Sequence, residues 1–233
     1  MMLSFNNFFP ANVVAFVSDR KVNFSLDKNN PVLTTVQQEY LSTNLGKWQV
    51  DLTKLSTIVQ VHGNRILVRK DNSGQDIKEA DGLITNLKNL PLTVRTADCC
   101  SIFLYAPNNC IGLVHAGWRG TRKRIVQEAI KMMQQEYEVS PAQMKAALGP
   151  AIRKCCYQVS EEFKDYFPRA VFFREGKYFL DLSLENVEQL TQMGLRQENI
   201  FDCGICTCCD INYFSYRREG QAAGRMISFM MMT

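Results

Sequence analysis

Two histidines and one cysteine are the residues of this chain whose types and positions best fit chemistry. Among 233 residues only His62 and His115 are histidine, and each lies where a predicted strand ends in a segment that contains glycine. A third predicted strand ends in the same way at Cys99. Strand ends of this kind turn the backbone and leave side chains facing a pocket, so the three side chains are expected to converge on one point.

Two imidazoles and a thiolate form a ligand set that is typical of catalytic zinc, with the fourth position left to water. Zinc lowers the pKa of such a water to near neutrality, which creates a nucleophile. Copper is the less favoured metal for these donors. For each residue alone a structural role stays open, either a hydrogen-bonded core histidine or an inert buried thiol.

Two alternatives do not use a catalytic metal. In a metal-independent Cys-His hydrolase, Cys99 would be the nucleophile and His115 its base, since a lowered thiol pKa is enough for attack. In a non-enzymatic zinc or redox module, the functional residues would be a second group of cysteines near the C-terminus. Metal content separates the first of these alternatives from the catalytic zinc site.

The nine cysteines are clustered and odd in number, so we expect reduced thiols and not a disulfide framework. The C-terminal group contains one CxxC followed by an adjacent pair, which is poor geometry for a closed tetrahedral zinc site. These thiols are otherwise expected to line a strand and a turn near the active site. The group comprises Cys203, Cys206, Cys208 and Cys209.

Short apolar runs separated by turn signals predict seven strands. One turn signal, Pro107–Asn109, is short enough to predict an antiparallel hairpin, and another is Asp71–Gly74. The predicted strands are Thr57–Val61, Ile66–Val68, Leu92–Thr96, Ser101–Tyr105, Cys110–His115, Lys145–Leu148 and Met226–Met230.

Helical spacing of apolar residues predicts a clear helix over Thr121–Tyr137, with further helices over Leu182–Met193 and Val36–Leu45. Strands and helices mix without a strict alternation of strand and helix. This order favours mixed sheets in a layered α+β domain, and we expect residues 1–233 to form a single catalytic domain.

Composition excludes several classes of partner. The formal charge is only +4 and the basic residues are dispersed, so nucleic acid is not expected as a partner. No apolar stretch approaches the ~20 residues needed to span a bilayer, and the N-terminus does not have the pattern of a signal peptide. A cytoplasmic protein is therefore expected, with its oligomeric state open.

Six motifs in order carry a resemblance to a known family: QVHGN, EADGLIT, TADCC, VHAGWRGT, LGPAIRKCCYQV and YFSYRREG followed by GRM. Together they resemble the YfiH-type family, whose members are described as polyphenol oxidase or laccase-domain proteins and as purine nucleoside phosphorylases. The resemblance runs from about residue 57 to the C-terminus. It implies that the family's metal-binding residues fall on His62, Cys99 and His115, and that the fold is a four-layer α/β/β/α arrangement similar to that of cytotoxic necrotising factor toxins.

The resemblance implies phosphorolysis of adenosine, inosine and S-methyl-5′-thioadenosine, together with deamination of adenosine. Deamination needs an acid-base group beside the metal, for which Asp98 and Asp81 are candidates, although an Asp near a turn often only caps backbone N–H groups. A laccase needs a histidine-rich copper cluster in addition to its blue-copper site. Two histidines cannot supply both, so multicopper oxidation is not expected.

Phosphorolysis requires groups that bind phosphate, and bidentate arginines suit it best. The candidates are Arg119, Arg217 and Arg218, each of which could equally be an exposed or ion-paired arginine, with the backbone of Gly120–Thr121 at the predicted helix start. Trp118 is expected to form a wall of the purine pocket. Core packing is the alternative for the other aromatic candidates, which are Tyr157, Tyr213, Phe214 and Tyr216.

Overall fold

The computed structural model describes residues 2–25, 32–71 and 78–233. Within these residues the strands are β1 (Leu3–Ser4), β2 (Val13–Val17), β3 (Ile66–Arg69), β4 (Gly82–Thr85), β5 (Leu92–Thr96), β6 (Cys100–Ala106), β7 (Cys110–Ala116), β8 (Lys145–Leu148), β9 (Gln158–Val159), β10 (Val171–Arg174), β11 (Lys177–Leu180), β12 (Ile200–Asp202) and β13 (Met226–Met232). The α-helices are α1 (Thr35–Leu45), α2 (Trp118–Arg122), α3 (Ile125–Tyr137), α4 (Phe163–Tyr166), α5 (Leu182–Gln192) and α6 (Tyr216–Glu219).

Two sheets form the centre of the molecule. The larger has the order β12-β8-β6-β7-β4-β3 and is mixed, since its outermost strand pairs are parallel and its inner pairs antiparallel. The second sheet, β1-β2-β13-β5, is antiparallel throughout. A small third sheet, β10-β11-β9, lies apart from these two and supports one wall of the pocket described below.

Side-chain alternation along the strands shows how the layers stack. In β2, Val13 and Val17 pack in the core shared with the six-stranded sheet, whereas Val14 and Phe16 pack with Leu41 of α1. The opposite face of the six-stranded sheet is covered by the apolar stripe of α3 and by α5. The layers therefore run helix, sheet, sheet, helix, and the predicted α/β/β/α arrangement of mixed sheets is confirmed.

Six of the seven predicted strands are observed, most of them within one or two residues of the predicted ends. The hairpin at Pro107–Asn109 is also confirmed, with Ala106 opposite Cys110. The predicted strand Thr57–Val61 is wrong. There the Gln60 side chain pairs with both backbone groups of Arg95, so a side chain replaces most of the backbone ladder. The predicted turn Asp71–Gly74 lies largely outside the described residues.

The predicted helix Thr121–Tyr137 is two helices. The helix is interrupted between α2 and α3 at Arg124, because its left-handed φ of 59° cannot continue a right-handed helix. Gly120 and Thr121 consequently lie inside α2, and the Thr121 N–H donates to the carbonyl of Gly117. The Thr121 N–H is therefore not free for an anion, whereas for Gly120, in the first turn of α2, the suggestion stays a prediction. The other two predicted helices are observed as α1 and α5.

All nine cysteines are free thiols, as expected for reduced cysteines. Across the described residues, none of the helices is both long enough and apolar enough to cross a membrane.

Candidate active site

Three connections bring the sequence-predicted residues together. His62 lies in the loop before β3 with a left-handed φ of 57°, and Cys99 lies between β5 and β6 directly after Asp98, whose φ is 81°. His115 is the penultimate residue of β7. Positive φ values are uncommon outside glycine and cluster at functional sites. Both unusual backbone positions here serve to aim a side chain of the same small group.

The three side chains form one cluster, called the His-Cys-His group below. One imidazole nitrogen from His62, one from His115 and the Cys99 sulfur all lie within 4.8 Å of one another. The two rings are nearly perpendicular, at 83°, with centroids 4.8 Å apart. His62 is exposed and His115 is buried, so the group lies at the floor of an open pocket of about 670 Å³. This volume suits a ligand of nucleoside size.

Asp81 organises the group from beneath. Its carboxylate is fully buried and accepts hydrogen bonds from the backbone N–H groups of His62 (2.9 Å) and Gly63 (2.6 Å). It also accepts from Nδ1 of His115 at 2.8 Å, which leaves Nε2 of that ring for a ligand. A carboxylate behind a histidine is the usual arrangement at protein metal sites. Asp81 therefore acts through His115 and is not placed as the acid-base group that the sequence suggested.

Charges within the group are strongly coupled. Burial would raise the pKa of Cys99, but the His115 and His62 rings lower it to about 6. Burial would lower the pKa of His115, but the Cys99 thiolate and the Asp81 carboxylate raise it to about 9. The pKa of Asp81 is itself lowered, because hydrogen bonds from His115 and Gly63 outweigh its burial. A thiolate is thus available at neutral pH, which both metal binding and nucleophilic attack require.

The absence of a side chain at Gly117 leaves room for Cys99 and His62, and a substitution there tests whether the His-Cys-His group needs this room. A Cβ atom at this position would lie 3.0 Å from Cys99 Sγ and 3.2 Å from His62 Cδ2, although its φ of −78° suits any residue. Gly117→Ala is therefore expected to displace both side chains and to lower metal affinity and kcat/KM by roughly 10–100-fold, as for other disturbances of a metal site's supporting shell. The measurements are metal content and steady-state kinetics.

The control for this test is Gly46→Ala, because no atom lies within 4 Å of a Cβ there and its φ of −52° is helical. That variant should leave both quantities unchanged. Full metal content and full activity in Gly117→Ala would contradict the crowding shown by the structure.

One wall of the pocket combines aromatic rings and arginines. Trp118 packs on Phe163, which belongs to the apolar cluster beside the small third sheet. The Arg119 guanidinium lies 4.3 Å from the Trp118 ring centroid. Arg217 lies over the Tyr157 ring at 5.2 Å and is exposed to the pocket. The predicted residues Trp118, Arg119 and Arg217 therefore line the same pocket as the His-Cys-His group.

The side chains of Asp98 and Arg218 form hydrogen bonds with other groups of the protein. Asp98 lines the pocket, but its carboxylate accepts from the Thr207 hydroxyl at 2.6 Å and from the Arg217 backbone N–H at 2.7 Å. Arg218 does not line the pocket, and its guanidinium donates to backbone carbonyls that include those of Thr207 (2.7 Å) and Tyr213 (2.5 Å). The structure therefore separates Arg218 from the other candidates and gives it a role in holding the C-terminal loops.

The remaining aromatic candidates divide in the same way. Tyr157 and Tyr216 line the pocket, whereas Tyr213 and Phe214 are buried in the core between the two large sheets. Core packing was the alternative for these residues, and it holds for the second pair.

Sequence reasoning missed Arg95, an arginine within the apolar strand β5. Its side chain lines the pocket and is only 7% exposed. Nε donates to the Phe24 carbonyl at 2.8 Å, while Nη1 is buried without a hydrogen-bond partner among the described residues. Burial lowers the pKa of Arg95 to about 10, so the guanidinium is still charged at neutral pH. A single basic residue inside the run Leu-Thr-Val-Arg-Thr was the available signal.

The fold and the site define a class of four-layer α/β/β/α protein with a histidine-cysteine-histidine group at the floor of a pocket near the strand ends. Comparison with known families agrees with that class. The chain belongs to the family described as multi-copper polyphenol oxidoreductase laccase, whose model matches residues 22–233.

Individual relatives cover most of the chain. A purine nucleoside phosphorylase of Aquifex aeolicus is 37% identical over 166 residues, which cover 71% of this chain and 77% of that protein. A purine nucleoside phosphorylase of Clostridium acetobutylicum is 34% identical over 194 residues, which cover 81% of this chain and 80% of that protein.

Solved structures show the same fold. The crystal structure of YlmD from Geobacillus stearothermophilus has a TM-score of 0.83 at 27% identity and covers 95% of this chain and 92% of that one. The hypothetical protein YfiH of Bacillus licheniformis also has a TM-score of 0.83 at 27% identity, with coverage of 96% and 94%. The resemblance to the YfiH-type family is therefore confirmed.

Proposed function

We propose that this chain is a metal-dependent purine nucleoside phosphorylase that acts on adenosine, inosine and S-methyl-5′-thioadenosine and also deaminates adenosine. The observation that carries the proposal is one pocket lined by both the His-Cys-His group and Arg95, whose guanidinium Nη1 has no hydrogen-bond partner in the part of the chain that the structure describes. The names of the relatives support the same substrate class. We further propose that residues 1–233 act as one catalytic domain in the cytoplasm.

The donors of the pocket fit a zinc ion. Two ring nitrogens and one thiolate lie close enough together to share one ion, and Asp81 fixes the tautomer of His115. His62, Cys99 and His115 would hold the metal, which when bound supplies Lewis acidity and lowers the pKa of a coordinated water. Copper is the second choice for this donor set.

Binding of the two substrates follows from the walls of the pocket. Within residues 2–25, 32–71 and 78–233, Nη1 of Arg95 is a buried donor without an acceptor, and a phosphate oxygen is the acceptor that would satisfy it most favourably. Trp118, Tyr157 and Tyr216 offer ring faces on which a purine can stack. In phosphorolysis the bond between the purine nitrogen and C1′ of the ribose breaks, and a phosphate oxygen bonds to C1′. Holding both substrates in one pocket supplies the proximity that this exchange needs.

A product assay tests the proposal. Purified, zinc-loaded protein is incubated with adenosine in the presence and absence of phosphate, and the products are identified by mass spectrometry. Adenine and ribose 1-phosphate are expected only with phosphate, and inosine is expected without it. If zinc-loaded protein forms neither set of products, the purine assignment is wrong for this chain.

A second candidate function rests on a specific arrangement. Cys99, His115 and Asp81 also form the order of nucleophile, base and orienting carboxylate that a Cys-His hydrolase uses. A hydrolase of this kind would keep its activity after the metal is removed by a chelator and would lose it on alkylation of Cys99. The proposed phosphorylase would instead lose activity with the metal and regain it when zinc is returned.

Multicopper oxidation is not part of the proposal, despite the description of the family. A laccase requires a histidine-rich cluster beside its blue-copper site, and both histidines of this chain already lie in the His-Cys-His group.

A further inference from the structure

A second group of sulfur atoms lies outside the His-Cys-His group. The thiols of Cys155, Cys156, Cys206 and Cys209, here called the four-cysteine cluster, all lie within 4.8 Å of one another. Cys209 Sγ is 3.2 Å from Cys156 Sγ and 3.6 Å from Cys155 Sγ. Two tight turns that are about fifty residues apart in the chain therefore present two thiols each to one point.

These separations match a single tetrahedral metal ion. With Zn–S bonds of about 2.3 Å, tetrahedral geometry places the sulfur atoms about 3.8 Å apart. A disulfide would require about 2.05 Å between two sulfurs. A polynuclear iron–sulfur cluster binds its thiolates to different irons and needs a wider opening. Four thiolates on one centre are typical of structural zinc.

The sequence pattern within the second turn supports the same assignment. Cys206 and Cys209 have the CxxC spacing of structural zinc sites. The C-terminal group therefore contains a second CxxC, which overlaps the one at Cys203 and Cys206, and the count of one made from the sequence is wrong. Backbone N–H groups of Cys209, Arg153 and Cys208 are directed at the Cys206 sulfur. Backbone N–H groups directed at a sulfur stabilise the thiolate, which is the form that binds metal.

Positive charge surrounds the cluster. Three arginines donate to main-chain carbonyls of the two turns: Arg174 to Cys155, Arg217 to Cys156 and Arg218 to Cys208. Four thiolates carry more negative charge than one divalent ion neutralises. The guanidinium groups of Arg174 and Arg217 offset part of that excess, whereas Arg218 is paired with Glu219 and only fixes the second turn in place.

We propose that Cys155, Cys156, Cys206 and Cys209 form a structural zinc site that is separate from the pocket. The ligand set differs from the one considered from sequence, because Cys203 and Cys208 are not members and the adjacent pair Cys155-Cys156 supplies the other half.

The site would tie together two loops that build the pocket. The first loop carries Ile152 and Tyr157, which line the pocket. The second loop carries Thr207, whose hydroxyl donates a hydrogen bond to Asp98. Arg217 links the loops to the pocket through the Cys156 carbonyl. Metal binding to preformed ligands contributes directly to stability, so loss of this zinc should loosen both loops together.

Metal content of purified wild-type protein and of two variants tests the assignment. Cys209→Ser changes an exposed ligand and should remove one zinc equivalent and lower Tm, while the equivalent bound by the His-Cys-His group is kept. The matched control is Cys203→Ser, the partner of Cys206 in the other CxxC, and it should keep every equivalent. Cys99→Ser separates the two sites, since it should remove only the pocket metal.

Spectroscopy identifies the atoms bound to the metal directly, in the wild-type protein and in the same variants. After cobalt replaces zinc, tetrathiolate coordination gives intense sulfur-to-metal charge transfer that should persist in Cys99→Ser and disappear in Cys209→Ser. X-ray absorption of zinc-loaded Cys99→Ser should show sulfur ligands only, at about 2.3 Å. Unchanged zinc content in Cys209→Ser, or a disulfide within the cluster in reduced, zinc-loaded protein, would overturn the proposal.

Discussion

Replacing His62, Cys99 or His115 by alanine is expected to remove the proposed pocket metal and the proposed phosphorolysis activity together while the chain stays folded. Each residue supplies one of three donors, and two remaining donors bind zinc weakly. The loss in kcat/KM should exceed the ~10–100-fold cost that is typical of groups behind a metal ligand. Metal analysis, circular dichroism and steady-state kinetics on the same preparations measure all three properties.

Asp81→Asn provides the graded comparison for these variants. Its carboxylate does not line the pocket, but it accepts from His115 Nδ1 and from two backbone N–H groups of the His62 loop. An amide keeps the shape and loses the charge, so the loss in metal affinity should fall within ~10–100-fold and below that of the alanine variants. An alanine variant of His62, Cys99 or His115 that keeps both its metal and its activity would remove that residue from the site.

The layered fold was predictable because periodicity carries most of the signal. Strands β5 and β8 and helix α5 have apolar patterns long enough to identify from sequence. The segment at Thr57–Val61 has the same apolar pattern but is not a strand, because Gln60 takes over the hydrogen bonds of its neighbour. The break at Arg124 was also hidden, since the apolar spacing continues across it. Tertiary contacts decided both cases.

Residues of the candidate site could be predicted where their residue type is rare in the chain. They could not be predicted where only the folded structure distinguishes them from similar residues. Two histidines in the whole chain made His62 and His115 conspicuous. Arg217 and Arg218 are neighbours with identical chemistry, yet one lines the pocket and the other is occupied by backbone carbonyls. The convergence of Cys155 with Cys209 depends on two loops that meet only in the folded chain. No local pattern distinguishes such cases.

Arg95→Met is expected to raise the KM for phosphate by roughly 10–150-fold with a much smaller effect on the KM for the nucleoside. The range corresponds to loss of one hydrogen bond to a charged group, about 1.5–3 kcal/mol. Arg95 lines the pocket, and its buried Nη1 lacks a partner among the described residues, so phosphate would satisfy this guanidinium. Methionine keeps the apolar stem of the side chain and therefore most of its packing. Initial rates measured against both substrates separate the two KM values.

Arg119→Met is the matched control, because Arg119 also lines the pocket but is exposed and lies over Trp118. This change should mainly raise the KM for the nucleoside, since the stacking surface near Trp118 is altered. These two results together would place phosphate beside Arg95 and the nucleoside beside Trp118. If Arg119→Met instead raises the phosphate KM and Arg95→Met leaves it unchanged, phosphate binds beside Trp118. In that case the buried guanidinium of Arg95 has only a structural role, through its bond to the Phe24 carbonyl.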